Sequence, residues 1–332
     1  MSTYDLEVYL DHDHLARAIR SDALTGLSAR PRSLPPKWFY DARGSELFEQ
    51  ITELPEYYPT WAERAVLTEH AGHVAEITGA TTLVELGSGS SEKTRLLLDA
   101  LSAHGTLGTF TALDVSESAL RQALGALVVD YPKLQVAGVV GDFTEHLPLL
   151  ARGGTRLVAF LGGTIGNLLP DERAAFLDAL HATLEPGEWL LLGTDLVKDP
   201  GVLVPAYDDA AGVTAAFNRN VLHVLNRELG GDFDETGFDH VAVWDAEREW
   251  IEMRLRAERA MRVSLPAVDL TLEIAAGEEL RTEVSAKFRP TGISAELAAA
   301  GFDLQHWWTD PKGLFGVSLS QNRPDDGTSG AT

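Results

Sequence analysis

The apolar residues in the centre of the chain fall into short runs, with longer amphipathic stretches between them. Five of these runs end in small or acidic residues and are predicted strands, at 82–86, 108–114, 134–140, 156–161 and 189–193. The stretches between them have helical spacing, at 92–102, 116–129 and 170–183. Strands that alternate with helices in this way indicate a parallel sheet that is covered on both faces.

The flanking segments have other patterns. Residues 1–60 are predicted to be mainly helical, and residues 197–223 also have helical spacing. Two later segments, 251–255 and 268–274, alternate apolar and polar positions, which is typical of half-buried antiparallel strands. The chain returns to a helix and two strands near 298–320, and we expect these strands to be an antiparallel pair that ends the central sheet.

Composition narrows the class of protein. A length of 332 residues suggests about two domains, and 45% hydrophobic with 23% charged residues is typical of a folded protein. Fifty acidic and 27 basic residues give a formal charge of −23, so neither nucleic acid nor an anionic membrane is expected as a partner. The lack of cysteine excludes disulfides and thiolate chemistry. No signal-peptide pattern and no apolar run of about 20 residues is present, so a cytoplasmic protein is expected.

A glycine-rich loop follows the first strand of the central block. It reads Gly87-Ser-Gly89-Ser-Ser-Glu92-Lys93-Thr94 and leads into a helix, which is the arrangement of a nucleotide-binding turn. A phosphate-binding P-loop and a dinucleotide-binding loop both need glycine where this chain has Glu92, and a carboxylate there would repel phosphate. S-adenosylmethionine has no phosphate and carries a sulfonium cation, so acidic residues suit it better.

Acidic residues stand near the ends of three successive predicted strands. Glu85 lies just before the loop, and Asp114 ends the next strand, where ribose hydroxyls are expected. Asp142 follows the third strand, and the adjacent Phe143 is placed to contact an adenine ring. Each acid alone is more simply explained as a helix cap or turn residue. Together with the glycine loop, the three acids favour S-adenosylmethionine as the cofactor.

Long runs of sequence, rather than one short motif, are the most specific feature of the chain. They lie at 33–41, 54–60, 84–89, 193–199, 206–220 and 282–285. On these runs the chain resembles the histidine Nα-methyltransferases of ergothioneine biosynthesis, over about residues 15–320. The resemblance implies S-adenosylmethionine-dependent trimethylation of the α-amino group of L-histidine to hercynine, by a monomer that needs no metal.

The resemblance also implies a fold and its domain boundaries. We expect an α/β protein with a Rossmann-like class I methyltransferase sheet, formed by residues 61–196 plus 287–320. A second, α+β domain would bind the substrate and would be built from the N-terminal segment 1–60 and the insertion 197–286. Residues 321–332 are predicted to be a disordered tail.

The functional residues are implied by the resemblance, position by position. Cofactor contacts fall on Gly87, Lys93, Asp114, Asp142 and Phe143. Substrate contacts fall on Tyr57, Asn167, Tyr207, Met253, Glu283 and Ser285. The residues expected nearest to the reacting groups are Tyr40, Asn167 and Gly162.

The chemistry is consistent with these residue types. Methyl transfer from a sulfonium needs an aligned, neutral amine and no nucleophile from the enzyme. The Asn167 amide and the Tyr207 hydroxyl can donate to the histidine carboxylate. Glu283 and Ser285 are two residues apart, so on a strand they face the same side, where we expect them to contact the imidazole nitrogens.

Simpler explanations exist for each position. Without the resemblance, the tyrosines would be interpreted as packing residues, Met253 as core, and Glu283 with Ser285 as a solvent-facing strand surface. A methyltransferase acting on another amino acid or amine, and a non-catalytic protein that senses S-adenosylmethionine, are the alternative functions. His70 and His73 are three residues apart on a predicted helix, but without a third ligand they do not indicate a metal site.

Overall fold

The structure is a computed structural model that describes residues 4–10, 12–89, 91, 93–150 and 153–323. Its strands are β1 (Asp5–Val8), β2 (Arg32–Ser33), β3 (Thr82–Leu86), β4 (Thr109–Asp114), β5 (Gln135–Val140), β6 (Arg156–Phe160), β7 (Trp189–Asp195), β8 (Phe238–Asp245), β9 (Trp250–Ala257), β10 (Met261–Leu265), β11 (Leu270–Ile274), β12 (Glu279–Ala286), β13 (Phe302–Thr309) and β14 (Phe315–Asn322). Its α-helices are α1 (His12–Ser28), α2 (Ala42–Thr52), α3 (Tyr58–Thr78), α4 (Thr94–His104), α5 (Glu117–Asp130), α6 (Pro170–Thr183), α7 (Pro200–Tyr207), α8 (Val213–Leu229) and α9 (Pro290–Ala299). Short 3₁₀ helices lie at Pro36–Phe39, Leu147–Leu149, Thr164–Asn167, Glu235–Gly237 and Pro266–Val268.

The chain forms two compact units. The first unit contains Met1–Tyr9, Pro59–Val197 and Phe288–Thr332, and the second contains Leu10–Tyr58 and Lys198–Lys287. No helix in the described ranges is long and apolar enough to cross a membrane.

The first unit is built on an eight-stranded sheet with the order β1-β5-β4-β3-β6-β7-β14-β13. The first six strands in this order, β1-β5-β4-β3-β6-β7, pair in parallel, whereas β14 runs antiparallel to both β7 and β13. Every residue of β3, β6 and β7 is buried, as expected for strands covered on both faces. The predicted Rossmann-like class I methyltransferase sheet, with its antiparallel last pair, is confirmed.

The register of this sheet brings four loops to one edge. Leu86, at the end of β3, lies opposite Leu113 of β4 and Phe160 of β6, and Asp114 lies opposite Val140 of β5. The carboxyl ends of these four strands are therefore level. As a result, the glycine loop and the segments that follow β4, β5 and β6 leave the sheet side by side.

Two parts of the predicted domain boundaries differ from the structure. Asp5–Val8 was expected in the second domain, but it pairs in parallel with β5 at the edge of the large sheet. This strand has only four residues and none of them is buried, so its pattern gave no period-two signal. At the other end, β14 continues to Asn322, past the predicted start of the tail at 321. The rest of that predicted tail, 324–332, lies outside the described residues.

The second unit contains a smaller sheet with the order β2-β12-β9-β8, and a separate hairpin of β10 and β11. Helix α8 packs on one face of this sheet, where Thr282 Oγ1 of β12 donates to Asn218 Oδ1 at 2.6 Å. Glu283 and Ser285 lie beyond a register shift between Arg281 and Glu283, and because they are two residues apart they share one face of the strand. Met253 lies directly across from Glu283 in the register and shares that face.

Candidate functional site

The glycine loop after β3 is fixed by the carboxylate of Asp114. Asp114 Oδ2 accepts from the Gly89 N–H at 2.9 Å, and its Oδ1 accepts from the Ser116 N–H at 2.8 Å, at the N-cap of α5. Gly87 and Gly89 have φ values of 70° and 48°, which favour glycine. A Cβ built on either glycine would meet no other described atom within 4 Å, so there is open space above the loop.

Burial changes the acid–base behaviour of this region. The pKa of Glu85 is raised to about 8, mainly by burial and also by the nearby Asp114 and Glu63, against the lowering effects of Thr94 and Lys93. Burial also raises the pKa of Asp114, although the N–H groups of Ser116, Gly89 and Val115 oppose the shift. Glu85 accepts a hydrogen bond from Thr94 Oγ1 at the start of α4. This bond links the two ends of the glycine loop.

Glu63 of α3 joins two residues that the sequence analysis predicted separately. Its fully buried carboxylate accepts from the Gly162 N–H at 2.8 and 3.0 Å, and it also accepts from Lys93 Nζ. A Cβ on Gly193 of β7 would lie 2.1 Å from Glu63 Oε1, so glycine is needed there to admit the carboxylate. The sequence analysis missed Glu63, although an acid within an apolar stretch of helix was a usable signal.

Gly162 follows β6 in the left-handed conformation, with φ 77°. The chain then continues through Gly163 into the short 3₁₀ helix Thr164–Asn167. Asn167 is half-buried at the end of this helix. Both predicted residues therefore lie in the segment that leaves the level edge of the large sheet after β6.

Asp142 and Phe143 follow β5 at the same edge. Asp142 Oδ1 accepts from the Thr144 N–H at 2.9 Å and from Thr144 Oγ1 at 2.6 Å, which closes a tight turn. The ring of Phe143 lies edge-on to Phe160 at 5.1 Å and to Phe176 at 5.5 Å, measured between ring centroids. Phe143 is thus held by packing, and it remains half-buried rather than fully covered.

The predicted tyrosines of the second unit belong to one group of aromatic rings. Phe48 of α2 lies edge-on to Tyr40 at 5.6 Å and to Tyr57 at 6.2 Å. Tyr57 in turn lies edge-on to Tyr207 at 6.4 Å, and Tyr40 lies edge-on to Phe217 of α8 at 5.5 Å. Three tyrosines that are far apart in sequence therefore share one cluster, which fixes their rings.

A triangle of hydrogen bonds lies beside this cluster. Tyr207 OH and Ser285 Oγ are 2.8 Å apart, and Lys287 Nζ donates to the first at 2.8 Å and to the second at 2.9 Å. All three residues are at most 7% exposed. The sequence analysis missed Lys287, although it continues the period-two series of Glu283 and Ser285.

Met253 and Glu283 complete the same face of the small sheet. Met253 is 2% exposed, and Glu283 is half-buried. The structure thus brings Met253, Glu283 and Ser285 to one face, with Tyr207 bonded to Ser285. Such a surface combines an acid, two hydroxyls, a lysine and apolar contacts, which suits a small polar molecule that carries both charges.

The histidines that were rejected as metal ligands pack against other rings. His70 stacks on Trp308 at 5.1 Å, and His73 lies edge-on to His306 at 5.2 Å. Within the ranges that the structure describes, no group of three or more His, Asp or Glu side chains could hold a metal ion.

The edge of the large sheet suits the predicted cofactor. Asp114 presents a carboxylate at the end of β4, where an acid can accept from ribose hydroxyls. The open space above Gly87 and Gly89 allows the backbone to approach a ligand closely. The carboxylate of Asp114 makes the surroundings acidic, which suits a cation better than a phosphate.

Comparisons with known proteins agree with this interpretation. The family model described as "Histidine-specific methyltransferase, SAM-dependent" matches residues 19–322. The chain is 57% identical to the histidine N-alpha-methyltransferase of Mycolicibacterium smegmatis, over 96% of this chain and 99% of that protein. It is 56% identical to the protein of that name from Mycobacterium tuberculosis, over 93% and 96%. Ergothioneine biosynthesis protein 1 of Neurospora crassa is 33% identical, over 70% of this chain and 30% of that protein.

Proposed function

The chain belongs to the family of histidine-specific, S-adenosylmethionine-dependent methyltransferases, and we propose that it converts L-histidine to hercynine by three methyl transfers to the α-amino nitrogen, the first step of ergothioneine biosynthesis. The observation that carries the proposal is the family match, which extends over nearly the whole chain and includes both units. The cytoplasmic location and the monomeric state stay predictions from the sequence.

We assign cofactor binding to the first unit. Asp114 accepts from the ribose hydroxyls, while Asp142 and Phe143 contact the adenine. Gly87 lets the loop backbone approach, and Lys93, held by Glu63, provides a positive charge for the carboxylate of the methionine part. When bound, S-adenosylmethionine supplies a methyl group that the sulfonium makes electrophilic.

We assign recognition of histidine to the aromatic cluster and the face of the small sheet. Glu283 accepts from an imidazole N–H, and Tyr57 and Met253 line the ring. Tyr207 donates to the carboxylate, and the role of Asn167 in substrate binding stays a prediction from the sequence. An amino acid without a ring N–H could not donate to the Glu283 carboxylate, and the loss of a hydrogen bond to a charged group costs more than a lost apolar contact.

The amino nitrogen must reach the methyl group as a free amine. Histidine enters as an ammonium, so the nitrogen loses one proton before each of the three transfers. We assign contact with this amine to Tyr40, whose ring Phe48 and Phe217 hold in place. Gly162 has no side chain, and we assign it to the end of β6 nearest to the methyl group of the cofactor.

A mass-resolved time course with histidine and S-adenosylmethionine tests the function. We expect products heavier than histidine by one, two and three methyl groups, with the trimethylated form accumulating last. Parallel reactions with other amino acids test the alternative substrates. Methylation of another amino acid but not of histidine would refute the substrate, and cofactor binding without any methylated product would favour a sensor.

A further inference from the structure

Three elements of the first unit meet at the carboxylate of Glu63. Both of its oxygens accept from the Gly162 N–H, at 2.8 and 3.0 Å, and Oε2 also accepts from Lys93 Nζ. Glu63 belongs to α3, Gly162 follows β6, and Lys93 is the N-cap residue of α4 at the end of the glycine loop. One side chain from α3 therefore joins the glycine loop to the segment that leaves β6.

The surrounding structure makes room for this carboxylate. Glu63 is fully buried, and the side chain of Lys93 is only 25% exposed. Gly193 lies within β7 and has no left-handed φ, so its backbone conformation does not require glycine. An added Cβ at Gly193 would overlap Glu63 Oε1, and the missing side chain thus admits the acid. An apolar residue would cost less at position 63 if that position served packing alone.

The connection matters because of where its two ends lie. We have assigned Gly162 to the end of β6 nearest to the methyl group, and Lys93 to the carboxylate of the methionine part. Methyl transfer needs an in-line arrangement, and a misplacement of about 1 Å can slow such a reaction by about 100-fold. A group that fixes the spacing of these two contacts should therefore act on the rate more than on affinity.

We propose that Glu63 is a positioning residue for methyl transfer, which fixes Gly162 and Lys93 relative to each other and thereby aligns the methyl group of bound S-adenosylmethionine. This inference rests on the proposed function, since it uses the contacts assigned there to Gly162 and Lys93. Glu63 is fully buried and acts through these two residues.

Glu63→Gln tests the proposal with a side chain of the same shape. Both carboxylate oxygens face the Gly162 N–H, so the NH₂ group of Gln puts a second donor beside it in either orientation. We expect the single-turnover rate at saturating histidine and S-adenosylmethionine to fall by about tenfold or more. Dissociation constants for S-adenosylhomocysteine and histidine, measured by calorimetry, should change by less than about threefold, because Lys93 keeps its charge.

Gly193→Ala displaces the same carboxylate without removing its charge. We expect a loss of rate like that of Glu63→Gln, because the added methyl group overlaps Glu63 Oε1. In a Glu63→Ala background no carboxylate remains to be displaced, so Gly193→Ala should cost little more. Gly108→Ala is the matched control, since a Cβ there would lie 3.8 Å from the Thr81 carbonyl oxygen, an ordinary contact. This variant should keep the full rate.

Amide hydrogen exchange gives a readout that needs no ligand. The Gly162 N–H donates to a buried carboxylate and should be protected in the unsubstituted protein. In Glu63→Gln and in Gly193→Ala we expect this amide to exchange about tenfold faster or more, while the amides of β6 keep their protection. Equal loss of protection in β6 would show that the substitutions disturb the whole sheet, and would contradict a positioning role.

The kinetic outcomes separate the inference from the proposed function. Equal losses of rate and of affinity in Glu63→Gln would show that Glu63 only maintains the structure. If the unsubstituted protein transfers no methyl group to histidine, the proposed function is wrong and this inference fails with it. Methyl transfer to histidine that keeps its full rate in both Glu63→Gln and Gly193→Ala would refute the role of Glu63 alone.

Discussion

The two units hold their candidate residues in different ways. In the first unit, carboxylates accept from backbone N–H groups: Asp114 from Gly89 and Ser116, and Glu63 from Gly162. In the second unit, side chains hold side chains, as in the ring cluster around Phe48 and the triangle at Lys287. Substitutions in the first unit should therefore disturb loop structure and stability, whereas those in the second should change which molecule binds.

The pH dependence of stability gives the largest expected effect, and it belongs to the first unit. Since burial raises the pKa of Glu85 from 4.5 to about 8, the folded protein keeps a proton that the unfolded chain loses. The free energy of unfolding should fall as the pH rises through this window, by up to about 1.4 kcal/mol per pH unit from this group. Glu85→Gln copies the protonated form and should remove that slope in urea unfolding.

A matched control isolates the contribution of Glu85. Glu117 of α5 is 47% exposed, so Glu117→Gln should leave the profile nearly unchanged. If the free energy of unfolding of Glu85→Gln falls between pH 5 and pH 8 as much as that of the unsubstituted protein, the buried acid is not the cause of the pH dependence.

The next largest effect is expected at Glu63. Glu63→Ala leaves the Gly162 N–H without its carboxylate and removes a partner of Lys93, so we expect a loss of about 3 kcal/mol in the free energy of unfolding. Glu63→Gln keeps an acceptor for Gly162 and should lose about half as much. Glu69 of the same helix is 68% exposed, and Glu69→Ala should cost less than about 0.5 kcal/mol. Equal losses for Glu63→Ala and Glu69→Ala would contradict this role.

The difference between the units also explains what the sequence could predict. Parallel strands end level, so the acids after successive strands could be placed at one edge from the pattern alone, and Asp114 and Asp142 lie there. In the second unit, Tyr40, Tyr57 and Tyr207 come from distant segments, and no periodicity relates them. Only the resemblance to a family selected them.

The residues that sequence reasoning missed have a common cause. Glu63 and Lys287 are charged, and a charged residue in a helix or strand is ordinarily taken as exposed. Both are buried, because Glu63 accepts a hydrogen bond from a backbone N–H and Lys287 donates to a pair of hydroxyls. The edge strand Asp5–Val8 was missed for a different reason: four residues without a buried position carry too little pattern.

A third prediction concerns cofactor affinity in the first unit. Asp114→Ala removes both the carboxylate proposed for the ribose and the acceptor of the Gly89 N–H. We expect S-adenosylhomocysteine binding to weaken by about 1.5–3 kcal/mol, measured by calorimetry. Asp99→Ala is the control, since Asp99 bonds an exposed tyrosine hydroxyl in the same unit. Unchanged affinity in Asp114→Ala would exclude the ribose contact.

The smallest effect is expected in the second unit, and it is the sharpest test of the contrast. Glu283→Ala should weaken histidine binding by about 1–3 kcal/mol, because the imidazole N–H loses its acceptor, and it should leave S-adenosylhomocysteine affinity nearly intact. Glu279 lies on the same strand and pairs with Arg254 and Arg256, so Glu279→Ala controls for the loss of an acid from β12. An equal loss of affinity for both ligands in Glu283→Ala would mean that the acid maintains the structure. Loss of histidine affinity alone would mean that the second unit recognises the substrate independently of the cofactor-binding loop.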